Sequence, residues 1–345
     1  GRRGVVGGGR LAGGRRKGAA MELRVIERLD PREYEHPFDR GALDALEKTR
    51  GLEPLVRKFN ELGLERWARI VYTGSNLKVT SGGLPELYEV LEECCETLAL
   101  PAVPELYLRP GDGLQGLTVG VTRPVVVLNT QAANAFTPAE LRFVLGRELG
   151  HVKSQHALYH DMGMLLPVLS DMLGVTTLGL GSLLTAGLEM ALWHWRRMSE
   201  FTADRAGLLA CQDVSAAISA LAKIAGLPPK YYDAFQAEDF VTQAREFEGF
   251  DGKYDRLLKL LLREDHLWTM ARASEFVRWT DTGHFRDIIE RKTEIRQLSP
   301  APPAGVIGFC PQCGNRIDEP ATFCWRCGIR LVPEAAAPPP AIAAR

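Results

Sequence analysis

The chain has 345 residues, 46% of them apolar and 25% charged, with a formal net charge of −1. At ~150 residues per domain this is room for about two domains, and the composition excludes a disordered chain, a collagen-like repeat and a multi-span membrane bundle. The charge is uneven: residues 1–20 carry six basic groups and no acid, so the remainder is mildly acidic, which argues against nucleic-acid binding.

The first twenty residues, eight of them glycine, lack the apolar stretch of a signal peptide and read as a disordered basic tail or an extension upstream of a start at Met21. From there to about residue 297 helical and strand patterns alternate in one body. Leu84 to Leu98 predicts an amphipathic helix. Glu105–Arg109, Leu117–Val121 and Val125–Asn129 predict short strands, the last two forming a hairpin around Thr122-Arg-Pro124. Thr137, Pro138 and Glu140 spell a capped helix start, followed by apolar residues at helical spacing from Leu141 to Val152. From Ser199 onward the chain reads almost wholly helical: 199–209, 214–224, 254–262, 270–279 and 285–292.

Between these parts lies an apolar insertion, 162–195. Seventeen residues, Met172 to Leu188, carry no charge, which is the bottom of the range for a bilayer span. Pro167 and several glycines favour a helical hairpin, buried in the domain or dipping into a membrane surface, over a true span.

Seven cysteines are present. Four stand as Cys310-Pro-Gln-Cys313-Gly and Cys324-Trp-Arg-Cys327-Gly, the spacing of a tetrahedral thiolate zinc site. Gly314 and Gly328 tolerate the positive φ that turns backbone N–H groups toward sulfur. Two disulfides are the competing reading, but they leave Cys94, Cys95 and Cys211 without a scheme. A zinc ribbon is thus expected over 309–332, after a Pro-rich linker at 298–308 and before an Ala/Pro tail at 333–345. A closed four-sulfur site holds structure and leaves no position for chemistry; the ribbon would dock a protein partner, with nucleic acid as the lesser alternative. Thiolates also point to a reducing, cytoplasmic setting. Cys94-Cys95 reads as a buried apolar pair, and His36, His194 and His284 as packing or surface residues.

The capped helix contains Arg147-Glu-Leu-Gly-His151. With histidine first, this would be H-E-x-x-H, in which two imidazoles one turn apart grip zinc and the glutamate serves as general base. Glu200, in Ser199-Glu-Phe-Thr-Ala-Asp204, follows 49 residues after His151, with Asp204 one turn later. His266 and Arg272 stand six residues apart further on.

On these elements residues 80–292 resemble the HtpX-type and CAAX-prenyl-protease-type zinc metallopeptidases. The resemblance rests on Thr118–Asn129, Arg147–His156, Ser199–Arg205 and the His266/Arg272 pair. It implies an α+β, mostly helical, zincin-like domain with a small edge sheet. It implies Glu148 as general base, His151 and Glu200 as ligands of a catalytic Zn2+, and Asp204 as support behind the ligands. His266 would stabilise the oxyanion with Arg272 beside it, and the strand at 117–121 would pair with an extended peptide substrate. Insertion 162–195 would span or touch the membrane.

Three positions depart from the pattern: Arg147 replaces the first zinc-binding histidine, Leu267 a proline, and Gln115-Gly116 the usual Asn-Ala. The first decides most, because a guanidinium stays protonated and repels a dication. His156 or His160 swinging in, or Glu148 ligating, could rescue the metal. Alternatively Arg147 pairs with Glu200, or Glu148, and takes the place of the zinc charge. Two readings stay open: a metalloendopeptidase with an unusual or impaired site, and a silent scaffold that binds peptides or partners through its groove and ribbon.

Overall fold

A computed structural model describes residues 23–49, 52, 55–56, 59, 63–173, 182–248, 269–290, 308–309 and 316–317. Among these, helices dominate and a four-stranded mixed sheet supplies the β part. The first helices are α1 (Pro31–Tyr34), α2 (Pro37–Glu47) and α3 (Leu64–Gly74), followed by β1 (Leu77–Lys78) and α4 (Pro85–Thr97). Next come β2 (Glu105–Arg109), β3 (Gly116–Val119), β4 (Val125–Asn129) and the short α5 (Thr130–Ala135). The strand order is β1-β2-β4-β3, with β2 and β4 parallel and both outer strands antiparallel to their neighbours. β4 is buried throughout and β3 lies at the edge.

The strand ends before Val121, where the sequence pattern would carry it. Gly120 adopts φ +85°, and the backbone N–H groups that would continue the edge are taken by carboxylates. Asp161 accepts from Gly120 N (2.9 Å), while Glu65 accepts from Val121 N (2.8 Å) and Thr122 N (2.7 Å).

Helix α6 (Pro138–Lys153) opens on the expected capping box, Thr137 and Glu140 each bonding the other's backbone N–H. Glu140 also accepts from Lys223 Nζ (2.8 Å), tying this start to a later helix. After α7 (Ala157–Leu173), which contains Pro167, comes α8 (Ser182–Cys211), thirty residues in one run. The sequence pattern predicts a helix start at Ser199; the helix begins seventeen residues earlier, inside the apolar insertion. α7 and α8 pack together through Leu158, Met162, Leu165, Leu188, Leu192 and Trp195. Among the described residues no helix is long and apolar enough to cross a membrane.

The chain continues with α9 (Val214–Ile224), a 3-10 turn (Pro229–Ala234), α10 (Ala237–Glu248), α11 (Thr269–Asp281) and α12 (His284–Ile289). The predicted helix at 254–262 lies outside the described residues, as do the tails. Cys94 and Cys95 are buried in the core, as their sequence setting suggests. Farther on, β5 (Gly308–Phe309) and β6 (Arg316–Ile317) pair antiparallel.

Among the described residues α8 belongs to both of the larger apolar clusters, while a third, smaller one (Tyr107, Val119, Val125, Val127) lies on the sheet. Leu188 to Phe201 pack with α2, α7 and Ala68, whereas Ala206 to Cys211 pack with the sheet, α4, α6, α9 and α11. Glu200 and Asp204 fall at that junction. Small residues let α6 lie directly on α8: a Cβ on Gly146 would stand 2.4 Å from Ala210 Cβ, and one on Gly150 2.4 Å from Ala206 Cβ. A Cβ on Gly207 would meet Arg147 Cγ and the Phe143 carbonyl, each at 2.7 Å. This close approach carries the Arg147–His151 face of α6 onto the carboxylates of α8.

Candidate active site

Arg147 is 1% exposed, and its guanidinium binds Glu200 and Asp204 of α8. Nε donates to Asp204 Oδ1 at 2.7 Å and Nη2 donates to Glu200 Oε2. From α11, Arg272 donates to the same Asp204 through Nη2 (2.6 Å) and Nε (2.8 Å), and its Nη1 stands 3.9 Å from Glu200. Two buried cations and two carboxylates thus form one network, the condition under which buried charge is tolerated. Burial alone would raise the Glu200 carboxyl, but the Arg147 charge and the His151 contact outweigh it and hold the group well below the usual range. Burial would likewise lower the Arg272 guanidinium; Asp204 more than reverses it.

His151 stands beside this network with both ring nitrogens engaged. Nε2 is 3.5 Å from Glu200 Oε1, and Nδ1 lies 2.9 Å from His156 Nδ1, one nitrogen donating and the other accepting. His156 Nε2 continues to Asp39 Oδ2 at 3.2 Å, which also accepts from Thr202 Oγ1 at 2.6 Å. His160 turns aside to Ser199 Oγ (2.9 Å), and burial drives its imidazole well below the ordinary value. His156 and His160, the rescue ligands conceived from sequence, therefore already have other partners.

Glu148 points the other way. Thr118 Oγ1 of β3 lies 3.0 Å from its Oε2 and 3.1 Å from its backbone carbonyl. Burial raises the carboxyl above its ordinary value. Gly116 makes room for this arrangement, since a Cβ there would stand 2.8 Å from Glu148 Cγ. The Gln115-Gly116 departure thus has a steric consequence: alanine at 116 would push Glu148.

Several sequence expectations change on this geometry. Arg147 reaches Glu200, as weighed, but its second partner is Asp204 rather than Glu148. Asp204 bonds two guanidiniums rather than orienting an imidazole. Arg272 likewise serves Asp204 and Glu200. His36, read as packing, is buried, with Nε2 3.0 Å from Glu275 and Nδ1 capping α2 at Phe38 N. Sequence reasoning missed Thr118, Asp39, Thr202 and the Glu65/Asp161 pair, none of which has a spacing signature. His266, Leu267 and the four ribbon cysteines Cys310, Cys313, Cys324 and Cys327 lie outside the described residues.

This donor set does not fit a catalytic zinc ion. Such a site needs about three protein ligands converging with a position left open. Among the described residues no group of three or more His, Cys, Asp or Glu is so arranged. The place between His151 and Glu200 is instead approached by a permanent cation already bonded to Glu200.

This mostly helical α+β domain, with an R-E-x-x-H helix laid on a second acid-bearing helix beside an edge strand, belongs by its family match to the metallopeptidase class. The chain belongs to peptidase family M48, whose profile matches residues 85–283. It is similar to the plastoglobule-localized metallopeptidase 48, chloroplastic, of Arabidopsis thaliana, with 29% identity over 279 residues covering 79% of each chain. No solved structure matches it.

Proposed function

We propose that this member of peptidase family M48 keeps the peptide-binding frame of a zinc metalloendopeptidase but does not hydrolyse peptides, because Arg147 stands in for the catalytic zinc. The single observation behind this reading is the buried guanidinium bonded to Glu200 and Asp204. It neutralises Glu200, the acid that a dication would otherwise bind, together with the supporting Asp204, and repels a dication from the same place. What remains is a ligand-binding role: the β3 edge, limited to Gly116–Val119 because Asp161 and Glu65 take the N–H groups of 120 and 121, accepts an extended peptide by backbone pairing, which reads many sequences alike.

Zinc then belongs to the C-terminal module. The antiparallel pairing of Gly308–Phe309 with Arg316–Ile317 brackets Cys310 and Cys313, as a ribbon knuckle requires, and supports that reading. The ribbon would dock a protein partner, and the apolar insertion 162–195, its described ends packed in the α7/α8 cluster, would touch a membrane surface. The finer likeness to the HtpX and CAAX-protease branch, and the cytoplasmic setting, are part of the same proposal.

The test is casein hydrolysis. The wild-type chain should show none, and Arg147→His should confer it in a form that Glu148→Gln then abolishes. Wild-type hydrolysis lost on Glu148→Gln would overturn the reading. No gain from Arg147→His would mean that more than one residue separates this site from an active one.

A further inference from the structure

Helix α3 carries an apolar stripe on its wrong side. Trp67, Ile70 and Val71 follow i, i+3, i+4 spacing, which ordinarily marks the face a helix turns to the core. Here they are 48%, 59% and 40% exposed, and Leu77 just beyond is 63% exposed. The opposite face does the packing. Ala68 is buried in the α7/α8 cluster, Tyr72 Oη donates to Met164 Sδ of α7 (3.2 Å), and Glu65 holds the loop after β3.

The rim of the stripe is basic. A cavity of about 570 Å³ beside Ile70 is lined by Arg66, Arg69 and Arg123, with Glu65 as its acid. Glu65 is committed to the backbone of 121 and 122, and Arg69 to Glu105. Arg66 and Arg123 are exposed and have no carboxylate partner among the described residues.

We infer that α3 is an interfacial anchor: Trp67, Ile70, Val71 and Leu77 enter the headgroup zone of an anionic lipid surface while Arg66 and Arg123 meet its phosphates. An apolar face with a tryptophan and flanking cations is the pattern that lies in such a surface. In an otherwise acidic chain the local cations also orient it. A second copy is disfavoured, since a two-fold interface here would set Arg66 and Arg123 near their own images. Through Glu65 the anchor is tied to the end of β3, so the groove edge would sit at the lipid surface. The inference does not depend on whether the site is silent.

Flotation of the full chain with vesicles tests it. The chain should float with phosphatidylcholine vesicles containing phosphatidylglycerol, and at least tenfold less with phosphatidylcholine alone. Trp67→Asp/Ile70→Asp should reduce partitioning into anionic vesicles at least tenfold with an unchanged circular dichroism spectrum. Arg66→Glu/Arg123→Glu should do the same, and it leaves the apolar stripe intact. No flotation of the wild type, equal flotation on both vesicles, or either variant behaving as wild type would overturn it. So would a wild-type dimer by light scattering that Trp67→Asp/Ile70→Asp abolishes.

Discussion

Replacing Arg147 by methionine removes the cation and keeps most of the side-chain volume, so its cost reports the charge. Asp204 retains two hydrogen bonds from Arg272 at 2.6 and 2.8 Å, whereas Glu200 retains only longer contacts, His151 Nε2 at 3.5 Å and Arg272 Nη1 at 3.9 Å. The loss therefore falls mainly on Glu200. Breaking a buried pair by removing one partner costs ~3–5 kcal/mol; Glu200 is a quarter exposed and can be partly hydrated, which lowers the expectation to ~2–4 kcal/mol. The pH dependence follows from the sign of the shift. A carboxyl held below its ordinary value of 4.5 stabilises the fold above that value and loses the contribution as pH falls through the folded-state value. The difference between wild type and Arg147→Met should thus be largest at pH 7–8 and shrink in acid. Urea unfolding followed by tryptophan fluorescence measures it, and adding Glu200→Gln to Arg147→Met should recover part of the loss at neutral pH. A cost under ~1 kcal/mol at pH 7, or one that grows in acid, would refute the claim that the guanidinium neutralises this site.

Two other outcomes follow from the packing. Burial pushes the Asp161 carboxyl up to about 7, the Gly120 N–H offsetting only part of that. Because the folded state holds this proton after the unfolded state has released it, stability should fall by ~2–4 kcal/mol between pH 4 and 7 and level off above. Asp161→Asn should remove that slope from a melting-temperature series, and an unchanged slope would assign it to another group. At the α6/α8 contact, Gly150→Ala should destabilise by ~1–3 kcal/mol in denaturant titration although alanine is the better helix former, since its Cβ would lie 2.4 Å from Ala206 Cβ. A gain in stability would mean that the helices are less closely apposed.

Local patterns were the legible part of the fold. β2 and β4 fall on the predicted residues because each is a short apolar run bounded by turn residues. The Thr137–Glu140 capping box and helix 214–224 likewise depend on neighbours within a turn or two. The parallel β2–β4 pairing and the unbroken α8 were not legible, since one needs a distant partner and the other crosses from apolar to charged sequence without a breaker. The site divides similarly. The motif picked out Arg147, Glu148, His151, Glu200 and Asp204 as candidates, but not their bonding, which is fixed by how glycines 146, 150 and 207 let two helices meet. Asp39, Thr118 and Asp161 act through contacts 30 or more residues away in sequence, where no periodicity reaches.

Zinc bound per chain, measured by inductively coupled plasma mass spectrometry on the purified full chain, bears most directly on the role of Arg147. If the guanidinium has taken the metal's place, the chain carries one zinc, lost with Cys310→Ser/Cys324→Ser and untouched by His151→Ala. Two zinc ions per chain, or zinc that leaves with His151→Ala, would contradict it.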